Sequence, residues 1–519
     1  MFEGDNKREK ITVLLTMCFA LFMAMLDNTV VNIALPRISS DLGAGVSGLQ
    51  WIVDGYVLAL ASLLLTGGIL GDRYGRKRMF LSGLVTFTFA SLLCGLSANT
   101  AQLIAFRALQ GVGASLLLPG TLSIITVTFP AHERAKAIGI WAGVSGLALA
   151  LGPTVGGWMV EHVGWESIFF LNVPIGIAGF IIGSRVIRES RAPEARQLDL
   201  GGLGLGTAGL FSVTYGLIEA NQFGWGDARI IGALVLSALL FTAFIMYERR
   251  IDHAMMPLSF FRIPAFSAGN AVAFAVSLGM FGTFFFATLY MQIVRGYSPF
   301  ATGLRFLPLT GMVIFAAPNA GRLASKYGSK WPMTIGLALA GTGLLLLTQI
   351  GTNTSFAIVI PIFMMMGLGM GSTMTPMTAA VMNAVGHARA GLGSATTNTS
   401  REVGGVFGIA LLGTLLTTKL KSSLTGTVAI LGLPAGVRDS IVEIAGHGRD
   451  PGSLPGLGAR SADVHAAFQS AFVSGFHLAV LIAGLVLLAA ALISYRFIPS
   501  GAPQREMQEG SAPQAVAAA

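Results

Sequence analysis

Apolar runs of about twenty residues alternate with short polar turns along almost the whole chain. A backbone in hydrocarbon must satisfy its own hydrogen bonds, so such runs predict spanning helices. They fall near 11–35, 48–70, 79–98, 101–128, 136–159, 166–187, 200–219, 229–248, 265–292, 300–321, 331–350, 355–381, 392–418 and 469–495. About fourteen spans result, and an even number puts both chain ends on one side. The first run continues from Lys10 to Ala34, which is long for a signal peptide and reads as a span.

Cations separate the turns into two classes. One set holds Lys7, Arg8, Lys10, Arg73 to Arg78, Arg134, Lys136, Arg185, Arg188, Arg191, Arg196, Arg249, Arg250, Arg262, Arg322, Lys326, Lys330, Arg389 and Arg496. The opposite short turns hold little beyond Arg37, Arg229 and Arg295. By the positive-inside rule the first set and both termini face the cytoplasm, which predicts a multi-pass protein of the inner (plasma) membrane. The formal charge of +9 is then mostly topological and gives no reason to expect a nucleic-acid partner.

Composition agrees with this reading. The chain is 53% hydrophobic and 11% charged, whereas an ordinary soluble domain carries about a quarter charged residues. Both cysteines, Cys18 and Cys94, lie inside apolar runs, so no disulfide framework or metal site is expected.

The polar turn GILGDRYGRKRMF (68–80) has a weaker copy, GRLASKYGSK (321–330), displaced by 253 residues. Gly68, Leu70, Tyr74, Gly75 and Lys77 align with Gly321, Leu323, Tyr327, Gly328 and Lys330, while Ser325 stands where the first copy has Asp72. The same displacement puts the start of a second repeat near Arg262 and Pro264. The predicted organisation is a cytoplasmic start (1–10), a six-helix bundle (11–190), a linker with two extra spans (191–262) and a second six-helix bundle (263–499). A long extracellular connection is expected near 419–468 and a disordered cytoplasmic tail over 500–519. Parallel six-helix halves with binding between them are a recurring transporter plan.

Several motifs add to this. LDNTVVNIALP (26–36), WIVDGYVLA (51–59), the 68–80 turn, RALQGVGASLLLP (107–119), GPTVGG (152–157), FFLNVPIG (169–176), YMQIVRGYSP (290–299) and SREVGGVFGIALLGT (400–414) follow in order. Together they resemble the major facilitator superfamily, and within it the fourteen-span drug:proton antiporter group. Two departures are Ala148, where the fifth-span pattern has glycine, and Ser325. The resemblance implies an all-α membrane protein of two six-helix bundles plus two inserted helices. It also implies proton-coupled multidrug efflux, with small lipophilic substrates, protons and the bilayer as partners, no cofactor, and function as a monomer.

Charges inside spans are costly, roughly 3 kcal/mol on insertion scales, and face a cavity or a partner. Asp27 lies about 9 residues before Pro36, roughly 13 Å deep, and Arg107 about 8 residues beyond Asn99, roughly 12 Å deep, so they share a level. Asp54 is shallower, roughly 9 Å. Burial favours a neutral carboxyl and a nearby arginine favours the carboxylate, a balance suited to proton exchange. Asp27 is expected either to alternate between a proton and a cationic substrate, tuned by Arg107, or to form a static pair with it. Asp54 is a second candidate for protonation or cation contact, unless it faces the outer water. Glu402 is either a third protonatable group or a local headgroup pair, and Arg305 is expected to snorkel. The resemblance supports the roles of Asp27, Arg107 and Asp54. It further implies a gating latch between the halves formed by Asp72, Arg73 and Arg76 with Gly68 and Gly75. In the fifth span Gly152, Pro153, Gly156 and Gly157 permit close packing and a bend, and by resemblance seal the interface during switching.

Other features carry little. GLGTAG (204–209) lacks a preceding strand, and the seven histidines show no metal spacing. Phe22, Met25, Phe284, Phe285, Tyr290 and Met377 read as core or lipid contacts. Val437, Ile441 and Ile444 fall at helical spacing, consistent with either a short lid or a flexible loop. The chain is therefore read as a secondary active transporter and not an enzyme: an efflux antiporter for lipophilic, cationic drugs. Export of an endogenous lipid, siderophore or secondary metabolite is the alternative.

Overall fold

Hydrocarbon offers a backbone no partner but itself, and helices follow in close agreement with the apolar runs. The structure, a computed structural model, describes residues 7–191, 198–251, 258–385, 390–430, 433–446, 450–454 and 457–500. The first half contains α1 (Lys7–Leu42), α2 (Val46–Tyr74), α3 (Arg76–Gly95), α4 (Thr100–Thr128), α5 (Ala131–His162), α6 (Ser167–Phe170) and α7 (Asn172–Val186). The inserted pair is α8 (Leu200–Phe223) and α9 (Ala228–Glu248). The second half contains α10 (Pro264–Leu289), α11 (Pro299–Arg305), α12 (Leu307–Tyr327), α13 (Lys330–Leu346), α14 (Phe356–Val385), α15 (Ala390–Ile430), α16 (Ala435–Gly446) and α17 (Ser461–Phe497). Among the described residues, 13 helical segments are long and apolar enough to cross a membrane. α5, 32 residues long, covers the remaining expected span.

Helix limits in the two parts of the chain correspond at the 253-residue displacement. Shifted by that amount, α2 falls on Pro299–Tyr327, the combined extent of α11 and α12, and α3 falls on α13. Gly83 of α3 is matched by Gly336 of α13, and each lets its helix touch the next one backbone to backbone. A Cβ at Gly83 would stand 2.7 Å from the Leu117 nitrogen, and one at Gly336 would stand 2.6 Å from the Gly369 carbonyl. In the first half α4 packs on α2 and α3, and α1 on α5; in the second, α14 packs on α12 and α13, and α10 on α15.

Three regions differ from expectation. The connection expected over 419–468 is largely helical: α15 runs on to Ile430 and α17 begins at Ser461. Between them α16 lies against α15, with Ile441 and Ala445 buried. The sixth span breaks at Leu171 between α6 and α7. The tenth breaks at Phe306, where Pro308 starts a new helix because it lacks the amide needed to continue the old one.

The hairpin at 68–80 is held by a residue outside the expectation. The Glu189 carboxylate accepts from the amides of Lys77 and Arg78 at 3.1 and 3.2 Å, capping α3. Gly75 has φ 119°, and a Cβ there would stand 2.6 Å from the Glu189 carboxyl carbon, so both backbone and space require glycine.

Candidate functional site

The apolar face of α1 carries one acid, Asp27, and the interior of the first half is built around it. Asp27 is 3% exposed and Arg107, on α4, is fully buried. The Arg107 Nη1 donates to Asp27 Oδ2 at 2.6 Å and to Gln110 Oε1 at 2.6 Å, and its Nε donates to the Ile52 carbonyl at 3.1 Å. The other carboxylate oxygen, Oδ1, accepts from Gln110 Nε2 at 2.9 Å and Asn172 Nδ2 at 2.8 Å. Both amides also donate to the Ser91 hydroxyl, at 2.7 and 3.2 Å. The Tyr56 ring lies under the guanidinium at 4.3 Å. Five helices therefore converge on a single ion pair.

Equal depth correctly anticipated that Asp27 and Arg107 would meet, and in this conformation they form the paired alternative. Gln110 was legible, being three residues from Arg107 and so on the same helix face. Asn172, Ser91 and Tyr56 were not, because neutral polar residues in a span look like ordinary packing. Asn172 reaches Asp27 from the first turn of α7.

Asp54 does not face outer water: it is fully buried, and neither carboxyl oxygen has a hydrogen-bond partner. The cost of an unpaired charge in such a place is high enough that it belongs with function rather than packing. Glu402 is half-buried, with Oε2 shielded and unpartnered, and forms no ion pair among the described residues. Arg305 is half-buried, and its guanidinium lies over the Tyr297 ring at 3.7 Å.

The halves meet towards the end of the molecule that carries Pro36 and Val46, here the closed end. Gln50 donates to the Ile409 carbonyl at 2.8 Å, Gln292 donates to the Ile33 carbonyl at 2.9 Å, and the Phe300 amide donates to Glu161 at 3.0 Å. Gln292 is aimed by a π turn, Tyr290–Val294, at the end of α10. The fifth-span glycines divide their work. Gly152 and Gly156 face Thr29 and Val30 of α1, whereas a Cβ at Gly157 would stand 2.5 Å from the Pro299 carbonyl across the interface. Pro153 offers its carbonyl to Gly303 in the same way. At the opposite end of α5, Gly139 and Gly143 face open space.

At this opposite end the residues expected to latch the halves in the outward-open state lie within one hairpin. Asp72 pairs with Arg76 at 2.8 Å, within the hairpin itself, because they are one helical turn apart across Gly75. Gly68 packs on Pro119 of α4, and Arg73 lies exposed beside Tyr74. With the halves parted at this end, the first-half charges satisfy one another.

The buried ion pair lies inside the first of two bundles that touch at one end, and residues 17–409 match the model of the Major Facilitator Superfamily. The chain belongs to that superfamily. It is 37% identical over 489 residues to the tetracenomycin C resistance and export protein of Streptomyces glaucescens, covering 93% of this chain and 90% of that one. It is 33% identical over 500 residues to the multidrug resistance protein Stp of Mycobacterium tuberculosis, covering 95% and 93%. A methylenomycin A resistance protein of Streptomyces coelicolor is 37% identical over 410 residues, covering 78% and 85%. The fold also matches a bacterial homologue of the human lysosomal transporter Spinster, solved inward-facing and unoccupied, with TM-score 0.66 and 17% identity over 95% of this chain and 99% of that one. The superfamily assignment makes the chain a multi-pass membrane protein of transporter type.

Proposed function

We propose that this protein is a proton-coupled efflux antiporter for small lipophilic, cationic compounds, working as a monomer by rocking of its two halves. The names of its relatives as resistance and export proteins support the efflux direction. The observation that carries the coupling is the contrast between two buried carboxyls. Asp27 holds three donors and is equipped for the charged form; Asp54 holds none and is equipped for the proton-carrying form. In this reading a cationic drug competes with Arg107 for Asp27, and Asp54 or Glu402 exchanges the proton. The positive-inside rule applied to the cationic turns supports an inner (plasma) membrane protein with both termini and the open end facing the cytoplasm, and in this reading the conformation described is the one that collects substrate.

The deciding experiment uses proteoliposomes with an imposed pH gradient and a panel of fluorescent lipophilic cations. The expected result is uphill dye transport with matching proton movement. Dye transport without any substrate-dependent proton movement would exclude antiport. The second reading, export of an endogenous secondary metabolite, is favoured by the relative named for tetracenomycin C export, and polyketide-type substrates in the same assay distinguish it.

Two variants separate the gates. Gly157→Val places side-chain atoms where the Pro299 carbonyl sits, so the closed end cannot form and transport is expected to stop while the protein remains folded. Asp72→Ala breaks a half-buried i,i+4 pair at the protein surface, worth about 0–1 kcal/mol, so thermal stability should hardly change. If Asp72 latches the cytoplasmic face in the opposite conformation, transport slows severalfold with substrate affinity retained. A wild-type rate removes Asp72 from the gate.

A further inference from the structure

The inserted pair α8–α9 has no part in the cycle proposed above, yet α8 sits where the halves meet, and its last turns touch both. On the first-half side the Trp51 indole of α2 donates to Glu219 at 2.8 Å, and its ring tilts against Phe211 at 5.7 Å. Ser47 donates to the Ile218 carbonyl at 3.5 Å. On the second-half side Thr414 of α15 donates to the Leu217 carbonyl at 2.6 Å. Leu217, Ile218 and Ala410 form a buried apolar cluster there, backed by Phe407 and Leu411. At the same level α2 and α15 touch each other directly, through Gln50 and the Ile409 carbonyl.

Leu217 and Glu219 are two residues apart on a rigid helix, roughly 3 Å along its axis. When α2 and α15 part at the closed end, one turn cannot keep hold of both. The α2 side is the firmer. An indole donating to a carboxylate is a charge-assisted bond, about twice as strong as a neutral one, and ring contact reinforces it. Thr414 instead has a second acceptor on its own helix, the Ala410 carbonyl at 2.9 Å. Its release therefore leaves no buried hydroxyl unpaired.

We propose that α8–α9 is a clasp carried on the first half through Trp51 and Glu219, which holds the closed end shut by gripping α15 at Thr414 and Ala410. The inference rests on the rocking motion of the proposed function. In this role the inserted helices set the balance between the two conformations.

The test uses the full-length protein with spin labels at pairs drawn from Ser40→Cys, Asn353→Cys and Gly226→Cys. These exposed positions lie on the first half, the second half and the α8–α9 turn. Cys18 and Cys94 are buried and stay unlabelled. Thr414→Val, which keeps the shape and removes the hydroxyl, should enlarge the population with long Ser40–Asn353 separation roughly twofold, because the bond to Leu217 it loses in the closed form is partly matched by the bond to Ala410 it loses in the open one. Thr414→Ser, which keeps the hydroxyl, should match the wild type. The Gly226–Ser40 distance should stay single while Gly226–Asn353 splits with opening. Two Ser40–Asn353 populations unmoved by Thr414→Val overturn the grip, and a Gly226 label that follows Asn353 overturns its placement on the first half. A single Ser40–Asn353 distance in every variant and at every pH overturns the rocking itself, and the proposed function with it.

Discussion

Asp27→Asn is expected to reduce proton-driven export to the level of empty vesicles while leaving a folded protein. An asparagine can still accept from Gln110 and Asn172 through one oxygen, so most of the buried network survives. Its other atom, however, is an amide that meets the Arg107 guanidinium donor to donor, where Oδ2 now accepts at 2.6 Å. The stability cost is that of one lost hydrogen bond to a charged group, about 1.5–3 kcal/mol, visible as a lower thermal midpoint in detergent. The transport loss should exceed anything this cost explains, because an amide can neither carry a proton nor hold a cation by charge. Transport at the wild-type rate under the same pH gradient would remove Asp27 from the mechanism.

Arg107→Ala should have the larger effect on the fold. It strips a buried carboxylate of its only cation within the cluster and leaves a void over the Tyr56 ring. Removing one partner of a buried pair costs about 3–5 kcal/mol, since the remaining charge stays behind uncompensated. The double variant Asp27→Asn with Arg107→Ala removes both charges. It should therefore be more stable than Arg107→Ala alone, with a coupling of about 1–3 kcal/mol. Additive losses in the thermal midpoints of the two single variants would mean the pair contributes nothing as a pair. Transport should be absent from all three, so stability and activity are read separately.

Asp54 contrasts with these. Its carboxyl is as fully buried as the pair, but no donor meets it among the described residues, and from the sequence alone it was indistinguishable from an acid near the surface. Depth counted along a helix says how far a residue lies from the membrane face; it does not say whether a neighbouring helix covers it. α4 covers α2 at this level, with Gly55 against Ile104. The same limit applies to Arg305, whose contact with the Tyr297 ring depth along a span does not give.

Much of the architecture could be read without coordinates, because helix formation in hydrocarbon is a local matter. Each apolar run closes its own hydrogen bonds, so run length and spacing determined the spans, and the repeated hairpin determined the two halves and their 253-residue displacement. The high cost of intramembrane charge singled out Asp27, Arg107, Asp54 and Glu402 for the same reason. Which helix faces meet is a matter of packing between distant segments, and only the tertiary structure decided it. It brought Asn172 and Ser91 to Asp27 and set α8 across the junction of α2 and α15. Those contacts join residues up to hundreds of positions apart, and no local pattern of polar and apolar side chains encodes them.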